Sequence, residues 1–242
     1  MTSELEAQDV RWMAEALALA ERGRGSTRPN PMVGAVVVAN GERIGGGFHE
    51  RAGEPHAEIH ALRDAGEAAR GATVYVTLEP CCFEGRTGAC TEALIEAGVA
   101  RVVIGAPDPN PRVSGAGVSR LREAGIEVTT SILEEACWEL NVVFNHWITT
   151  RRPLVVLKLA TTLDGRIAAA TGASQWITGA RAREEVHAMR AHLDSVMVGS
   201  GTALADDPRL TARDVELPGG QPARALIDGQ LRVPLSAKLF HS

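Results

Sequence analysis

The sequence predicts an α/β protein whose first part is a three-layer sandwich around a mixed sheet. Runs of apolar, β-branched residues alternate with amphipathic segments, and glycine, proline and asparagine mark the turns between them. The order of these segments is one helix, two strands, three successive helix–strand pairs and a final helix. Helices that connect the strands of one sheet cover both of its faces, which gives three layers.

A helix, a hairpin and a second helix are predicted over the first 66 residues. Apolar side chains at helical spacing predict a helix over residues 8–22, and a loop rich in Gly, Ser, Thr and Pro follows. Residues 32–40 and 43–49 predict two strands joined by Asn-Gly, a dipeptide typical of hairpin turns. Residues 55–66 predict the second helix, with proline at its start and glycine at its end.

Three strands and three helices then alternate as far as the middle of the chain. The strands are rich in Val, Ile and Thr, and glycine follows the first two helices. The strands are predicted over residues 72–80, 100–106 and 126–130, and the helices over residues 91–98, 118–125 and 133–148.

A change of composition at residues 149–153, Thr-Thr-Arg-Arg-Pro, predicts a domain boundary. We assign residues 1–147 to a first domain and residues 148–242 to a second, smaller one. After the boundary the pattern restarts with a strand, a glycine-rich loop, a helix and a strand. These are predicted as a strand over residues 154–160, a helix over 180–193 and a strand over 194–202.

Composition narrows the class of protein. No apolar run is long enough to cross a bilayer, and the acidic, polar N-terminus lacks a signal-peptide core, so we expect a cytoplasmic protein. The net charge of −5, with both signs interspersed, argues against a nucleic-acid partner. Disulfides are not expected in that compartment, although three of the four cysteines lie within ten residues. Such a cluster calls for an explanation by metal binding or by chemistry.

Four residues combine into a pattern with a chemical purpose: His56 and Glu58 in Pro-His-Ala-Glu, and Cys81 and Cys90 further on. Catalytic zinc takes three protein ligands and leaves one position for water, and one His and two Cys supply three ligands. The metal lowers the pKa of its water. The H-x-E…P-C pattern is known from zinc deaminases of nucleobases, and it predicts a deaminase. In such an enzyme Glu58 is expected to carry protons from the zinc-bound water to the ring nitrogen of the base and to the departing ammonia.

Nearby residues leave alternatives open. Cys82 is available as a fourth ligand, which would make a structural zinc site, or the cysteines are simply buried as small apolar residues. His60 lies one turn after His56, but H-A-E-I-H differs from the H-E-x-x-H of metalloproteases, so we expect a packed or exposed helix residue. His49 either lines the pocket or is a plain loop histidine.

Longer segments resemble the riboflavin-biosynthesis deaminase–reductase family, and the resemblance covers nearly the whole chain. In the first domain they are TRPNPMVGA (27–35), GFHERAGEPHAE (47–58), YVTLEPC (75–81), GRTGAC (85–90) and DPNPRV (108–113). In the second they are KLATTLDGRIA (158–168), GASQWIT (172–178) and VGSGTALADDPRLTAR (198–213).

The resemblance implies a fold and an activity for each domain. The first would be a cytidine-deaminase-like sandwich that deaminates a 2,5-diamino-6-ribosylamino-pyrimidinone phosphate, with Zn²⁺ on His56, Cys81 and Cys90 and proton transfer by Glu58. By the resemblance, Asn30 matches a substrate-contacting position, and its amide can both donate to and accept from the edge of a base; the alternative is an asparagine that caps the loop. The second domain would be dihydrofolate-reductase-like and would reduce the ribose with NADPH.

The resemblance also implies binding residues in the second domain. The positions that match NADPH contacts are Ala160, Trp176, Thr202 and Asp206. The positions that match contacts to the phosphorylated substrate are Ser174, Arg190, Leu210 and Arg213. The two arginines suit phosphate because a guanidinium group can donate two parallel hydrogen bonds. The family further implies a homo-oligomer.

The sequence departs from the family pattern in two places. The family has C-x-H-x-G-R-T-P-P-C, whereas Phe83 stands here for the His and Gly88-Ala89 for the two prolines, which leaves the loop shape open. The family's reductase domain continues past residue 242 with a glycine-rich segment that helps hold the NADPH phosphates. We therefore expect a partial reductase domain, in a fragment, a truncated product or a remnant, and do not predict reductase activity for it.

Two other functions stand as alternatives. A related deaminase could act on RNA bases or on free cytidine; an RNA enzyme is expected to show basic and aromatic residues around its site. A free-nucleoside enzyme would not need the reductase-like segment. A non-enzymatic, zinc-stabilised binding or assembly module would hold zinc without turnover.

Overall fold

The computed structural model describes residues 2–83, 88–111 and 113–241 of the chain. The chain divides into two compact units, Met1–Leu154 and Val155–Ser242. None of the described helices is both long and apolar enough to cross a membrane.

The first unit has one mixed sheet with helices around it. Its strands are β1 (Gly34–Ala39), β2 (Glu42–Phe48), β3 (Thr73–Leu78), β4 (Arg101–Ala106) and β5 (Glu127–Thr129). Its helices are α1 (Thr2–Glu21), α2 (Ala57–Ala65), α3 (Cys90–Ala97), α4 (Ala116–Glu123), α5 (Glu134–Leu140) and α6 (Val142–Thr150), with a 3-10 turn at Gly66–Ala69. The sheet order is β2-β1-β3-β4-β5. Strand β1 runs antiparallel to β2 and β3, whereas β3, β4 and β5 are parallel.

Successive residues of the central strands bury opposite faces of this sheet. Val37 belongs to a buried cluster with Leu94 of α3 and Leu121 of α4. Its neighbour Val36 belongs to a second cluster, on the other face, with Met13 of α1. This alternation follows from the two-residue period of a strand. The predicted three-layer α/β sandwich is confirmed.

Two glycines of β2 bring α2 close to the sheet. A Cβ atom on Gly45 would lie 2.5 Å from the carbonyl oxygen of Ala61, and one on Gly47 would lie 2.9 Å from that of Ala57. Only glycine tolerates such an approach of two backbones. The glycine-rich strand therefore fixes the position at which α2 begins.

The predicted hairpin and the first two helices are present, with changes at their ends. Asn40 and Gly41 have positive φ angles of 53° and 76°, as a tight hairpin turn requires. Helix α1 begins earlier than predicted, at Thr2. Glu4 lies in its first turn, where the positive end of the helix dipole stabilises a negative side chain. Helix α2 begins later than predicted, because His56 is extended, with ψ 167°, and serves as its N-cap.

The single helix predicted over residues 133–148 is wrong. The chain forms α5 and α6, which are separated at Asn141, a residue with φ −110° and ψ 21°. The Asn141 side chain binds the backbone of Met32, a contact that no local helix propensity encodes. Helix α6 continues to Thr150, so it extends past the proposed end of the first domain at residue 147.

The second unit contains α7 (Ala180–Ala191), β6 (Ser195–Gly199), α8 (Ser200–Asp206), β7 (Ala223–Ile227) and a 3-10 turn at Lys238–Phe240. Strands β6 and β7 pair in parallel. Its buried apolar cluster consists of Ala203, Leu210, Val233, Ala237 and Leu239. The predicted helix over residues 180–193 is confirmed, whereas the strand predicted over residues 194–202 gives way to α8 at Ser200.

The strand predicted over residues 154–160 is wrong for the described structure. These residues form no strand, and Val155 and Leu157 are 72% and 79% exposed. An apolar, β-branched segment becomes a strand only where another strand pairs with it. In the described part of this unit, β6 and β7 pair only with each other.

Candidate active site

Three metal-binding side chains meet where two helices of the first unit begin. His56 is the N-cap of α2, and Cys90 is the first residue of α3. Cys81 follows the end of β3. Ligand sites in α/β sheets form at the carboxyl ends of strands, and this cluster lies where β3 ends.

The distances between these side chains are short. His56 Nδ1 lies 3.1 Å from Cys90 Sγ and 3.6 Å from Cys81 Sγ. The Cys90 backbone N–H donates a hydrogen bond to Cys81 Sγ over 3.4 Å. The three candidate ligand atoms all lie within 4.8 Å of one another, so one ion can contact all three.

The charges in this cluster favour a thiolate. A hydrogen bond from Cys90 lowers the pKa of the Cys81 thiol to about 4. Hydrogen bonding to Cys81 raises the pKa of His56, and it also raises the pKa of Cys90. The thiolate is the form of cysteine that binds metals.

Glu58 lies in the first turn of α2, directly beside this cluster in sequence. It is only 3% exposed, and its Oε2 atom is buried without a hydrogen-bond partner. Burial raises the pKa of its carboxyl group. A buried carboxylate oxygen without a partner is rare in folded proteins and indicates a group that bonds to a ligand.

The donor set fits zinc. One imidazole nitrogen and two thiolate sulfurs are ligands that Zn²⁺ prefers, and three ligands leave a position for water or substrate, as in catalytic sites. Among the described residues, Cys82 does not belong to the group formed by His56, Cys81 and Cys90. The arrangement therefore favours a catalytic zinc site over the structural alternative with four ligands.

A short chain of hydrogen bonds orients Asn30. His49 Nδ1 lies 3.1 Å from the Pro55 carbonyl oxygen, which can only accept, so Nδ1 carries the proton. Nε2 is then an acceptor, and Asn30 Nδ2 donates to it over 3.1 Å. Asn30 Oδ1 is left as the amide atom that can accept from a ligand. Burial lowers the pKa of His49, which keeps the ring neutral, and its centroid lies 5.3 Å from that of His56.

The structure adds a buried residue that the sequence analysis missed. Glu79 accepts hydrogen bonds from the backbone N–H groups of Gly115, at 3.0 Å, and Val118, at 3.1 Å. The segment between β3 and Cys81 is therefore bonded to the start of α4. A glutamate directly before Pro-Cys was the only sequence signal for this role.

The remaining candidates in the first unit have no place in the metal cluster. His60 is half-buried on α2, and its Nε2 makes no hydrogen bond. Phe83, which replaces the family's histidine, is half-buried. Residues 85–87 of the cysteine motif and Arg112 of the Asp-Pro-Asn-Pro motif lie outside the described residues.

A cavity in the second unit brings together three of the predicted binding residues. It has a volume of about 580 Å³, and its lining includes Ser174, Thr202 and Asp206. Gly172 and Gly201 also line it, and they leave the backbone accessible. Predicted cofactor and substrate contacts therefore share one cavity.

Two other predicted residues, Arg190 and Arg213, form a cationic group on α7 and the segment after α8, and Leu210 lies next to this group. Arg190 donates a hydrogen bond to the Thr211 carbonyl at 3.1 Å, and Arg213 donates to the Thr211 hydroxyl at 3.1 Å. Arg213 also contacts His187, with Nη2 and Nε2 3.1 Å apart. Leu210, which directly precedes Thr211 in the chain, is buried and has a positive φ of 57°. Burial lowers the pKa of Arg190.

Two predicted cofactor residues do not line the cavity. Trp176 is 70% exposed, and its ring contacts the guanidinium group of Arg183 at 4.4 Å. Ala160 lies in the segment that forms no strand.

The sandwich and its His/Cys/Cys group with a buried glutamate define a zinc site of the cytidine-deaminase class. A family model described as the cytidine and deoxycytidylate deaminase zinc-binding region matches residues 6–106. A second, described as the RibD C-terminal domain, matches residues 153–242. The predicted zinc cofactor is confirmed at the level of this family and of the metal-binding group.

Similar proteins extend over both units. The riboflavin biosynthesis protein RibD of Aquifex aeolicus is 51% identical over 234 residues, which are 97% of this chain and 65% of that protein. RibD of Haemophilus influenzae is 47% identical, over 98% of this chain and 67% of that protein. The chain thus spans about two thirds of the length of the relatives that it matches.

Solved structures of RibD-type proteins are also similar to this chain over nearly its whole length. A structure of Acinetobacter baumannii RibD has a TM-score of 0.89 and 48% identity, over 97% of this chain and 67% of that one. A diaminohydroxyphosphoribosylaminopyrimidine deaminase/5-amino-6-(5-phosphoribosylamino)uracil reductase from Thermotoga maritima has a TM-score of 0.90 and 44% identity, with 98% and 68% coverage. The chain belongs to the RibD family of riboflavin biosynthesis proteins.

Proposed function

We propose that the first unit catalyses a step of riboflavin biosynthesis. The reaction is the hydrolytic deamination of 2,5-diamino-6-(5-phosphoribosylamino)pyrimidin-4(3H)-one to 5-amino-6-(5-phosphoribosylamino)uracil. The observation that carries the proposal is the buried Glu58 carboxyl group, two residues after the His56 ligand, whose Oε2 atom has no hydrogen-bond partner. Family membership supplies the substrate.

His56, Cys81 and Cys90 are the proposed zinc ligands. Zinc at this site would supply Lewis acidity, which makes water nucleophilic near neutral pH. Glu58 accepts a proton from the attacking water and delivers one to the ring nitrogen beside the amine-bearing carbon. A carbon–oxygen bond forms, and Glu58 then takes the proton of the hydroxyl group now on that carbon and passes it to the amine. The carbon–nitrogen bond breaks, the carbon–oxygen bond becomes the carbonyl of the product, and ammonia leaves.

Burial suits Glu58 to this task. A proton shuttle must hold and release a proton in one cycle, and it works best when its pKa lies near the working pH. Burial raises the pKa of Glu58, that is, towards neutral pH. Its Oε2 atom has no hydrogen-bond partner among the described residues, so this oxygen can bond to the water or to the base.

Asn30 is the proposed contact that orients the base. Its Oδ1 accepts, because its Nδ2 donates to His49. An acceptor at this place matches the N–H groups on the edge of an aminopyrimidinone ring. The His49 ring, fixed by Pro55, therefore sets which end of the Asn30 amide faces the substrate.

The alternatives receive less support. Deamination of RNA is disfavoured by the net charge of −5. Free cytidine as the substrate would leave the second unit without a purpose.

The test incubates the zinc-loaded chain with the diaminopyrimidine ribosyl phosphate or with cytidine and measures ammonia. Release from the former alone supports the proposal; release from cytidine alone, or bound zinc without any release, contradicts it.

For the second unit we propose that the cavity with Ser174, Thr202 and Asp206 is part of an NADPH site, and that Arg190 and Arg213 bind the substrate phosphate. Family membership and the shared cavity support this assignment. We keep residues 1–147 as the proposed deaminase domain and 148–242 as the proposed part of the reductase domain. Titration of the chain with NADPH, monitored through the quenching of tryptophan fluorescence, tests binding. Asp206→Ala is expected to weaken the binding of NADPH.

We also propose a cytoplasmic homo-oligomer that acts on a small molecule. Reduced cysteine ligands require a reducing compartment, which supports the location. The family resemblance supports the oligomer, and light scattering of the purified chain tests it. A monomer at micromolar concentration would contradict that part.

A further inference from the structure

The loop between α1 and β1, which carries Asn30, is held by a residue far away in the chain. The Met32 N–H donates a hydrogen bond to Asn141 Oδ1, and Asn141 Nδ2 donates one to the Met32 carbonyl, both at 2.8 Å. Asn141 is 4% exposed, and 109 residues separate it from Met32. A side-chain amide that pairs with both the backbone N–H and the carbonyl of one residue fixes the position and the orientation of that residue.

The loop transmits this anchor to Asn30. Pro31 lies between Asn30 and Met32, and Pro29 precedes Asn30. Proline fixes its own φ and restricts the residue before it, so the backbone from Asn30 to Met32 has little freedom. The Asn30 N–H also donates to the Thr27 carbonyl at 2.9 Å.

The other end of the loop is bonded to His49. The His49 N–H donates to the Val33 carbonyl at 2.9 Å, directly after Met32. The His49 ring accepts from Asn30 Nδ2 at 3.1 Å. Asn141 therefore holds the loop from the side of α5 and α6, and β2 holds it through His49.

The break between α5 and α6 has a purpose in this arrangement. A continuous helix would use the Asn141 backbone in its ladder and would direct the side chain by helix geometry alone. Here Asn141 adopts φ −110° and ψ 21°, and its amide reaches the loop. Its carbonyl still accepts from the Asn145 N–H at 2.8 Å, so α6 begins directly after it.

We propose that Asn141 is a positioning residue for substrate recognition, which acts on Asn30 through Met32. This inference rests on the proposed deamination and on the proposed contact of Asn30 with the base. The substrate class concerned is an aminopyrimidinone whose ring edge donates to Asn30 Oδ1.

The kinetic test is a double-mutant cycle. Asn30→Ala and Asn141→Ala are each expected to lower kcat/KM for ammonia release about 10- to 100-fold, because misplacement of a binding group has effects of that size. The double variant is expected to match Asn30→Ala, because Asn141 acts only through Asn30. A double variant that shows the product of both losses overturns the proposal. Asn141→Ser serves the same cycle if the alanine variant does not fold.

Asn145→Ala is the matched control. Asn145 is also a buried asparagine, 3% exposed, but its Nδ2 donates to the Trp138 carbonyl within the helical pair. Its replacement is expected to lower stability and leave kcat/KM within about twofold. An equal kinetic loss in the Asn145 variant would assign Asn141 a merely structural role and overturn the proposal.

A structural readout separates this inference from the proposed function. In a crystal structure of zinc-loaded Asn141→Ala, the separation of Asn30 Nδ2 and His49 Nε2 is expected to exceed hydrogen-bonding distance, about 3.5 Å. An unmoved Asn30 overturns the inference even if the chain is an active deaminase. If the unchanged chain releases no ammonia, the proposed function fails, while the crystal structure still decides the anchoring role.

Discussion

The His56 imidazole and the Cys90 thiol lie 3.1 Å apart although 34 residues separate them in the chain. Each stands at the start of a helix, α2 and α3, and both helices pack on the same face of the sheet. Glycines of β2 set the approach of α2, so the site depends on backbone packing as much as on its ligands.

Glu58→Gln is expected to keep zinc and to lower kcat for ammonia release about 10²- to 10⁴-fold. Glutamine has nearly the same shape and cannot exchange protons. Zinc content by mass spectrometry and steady-state kinetics check this outcome. An active Glu58→Gln variant would assign the proton shuttle to another residue.

Cys90→Ser is expected to lose most bound zinc, because it removes one of three soft ligands. Cys82→Ser is the matched control, since Cys82 stands next to a ligand but outside the described metal group. Zinc per chain after dialysis compares the two. Equal loss in both variants would make Cys82 a ligand and return the site to the structural class.

Asp9→Ala is expected to lower the free energy of unfolding by about 3–5 kcal/mol, because it removes the buried partner of Arg101 and leaves that charge only the exposed carboxylate of Glu127. Arg101 binds both Asp9 oxygens at 2.8 Å, and Tyr75 donates to Asp9 at 2.9 Å. Glu15→Ala removes a partly exposed ion pair with Arg43 and should change stability by less than about 1 kcal/mol. Urea denaturation measures both. Similar values for the two variants would contradict this ranking.

Asp108 gives the stability a pH dependence. Burial raises its pKa from 3.8 to about 6, so between about pH 4 and pH 6 the folded chain keeps a proton that the unfolded chain has lost. Its contribution to the free energy of unfolding therefore falls as pH rises through this window. In Asp108→Asn this fall should disappear, because an amide does not titrate and can still accept from the Asn110 N–H.

Urea midpoints between pH 4 and pH 7 measure the effect for the unchanged chain and the variant. Asp64→Asn, at an exposed aspartate, is the matched control and should follow the unchanged chain. Parallel curves for all three chains would show that Asp108 has an ordinary pKa.

Much of the first unit can be predicted from local patterns, and the exceptions share a cause. Apolar periodicity and turn residues predict the order of its strands and helices, and the spacing of His56, Cys81 and Cys90 predicts the metal group. The break at Asn141 could not be predicted, because it depends on a contact with Met32. Glu79 is similar, since its partners belong to α4.

The second unit shows the limit of strand propensity. Residues 154–160 have strand-like composition and form no strand, because pairing depends on neighbours that a local pattern does not contain. The family resemblance, by contrast, names Ser174, Thr202 and Asp206, and these residues line one cavity. A cavity built from three segments has no local sequence signal of its own.

The most direct test of the account is a zinc titration of the chelator-treated chain, with ammonia release from the diaminopyrimidine ribosyl phosphate as the readout. The account predicts that chelation abolishes release, and that added zinc restores it up to a plateau at about one ion per chain. Release without zinc, or an ion bound at the His/Cys/Cys group with no release, would contradict it.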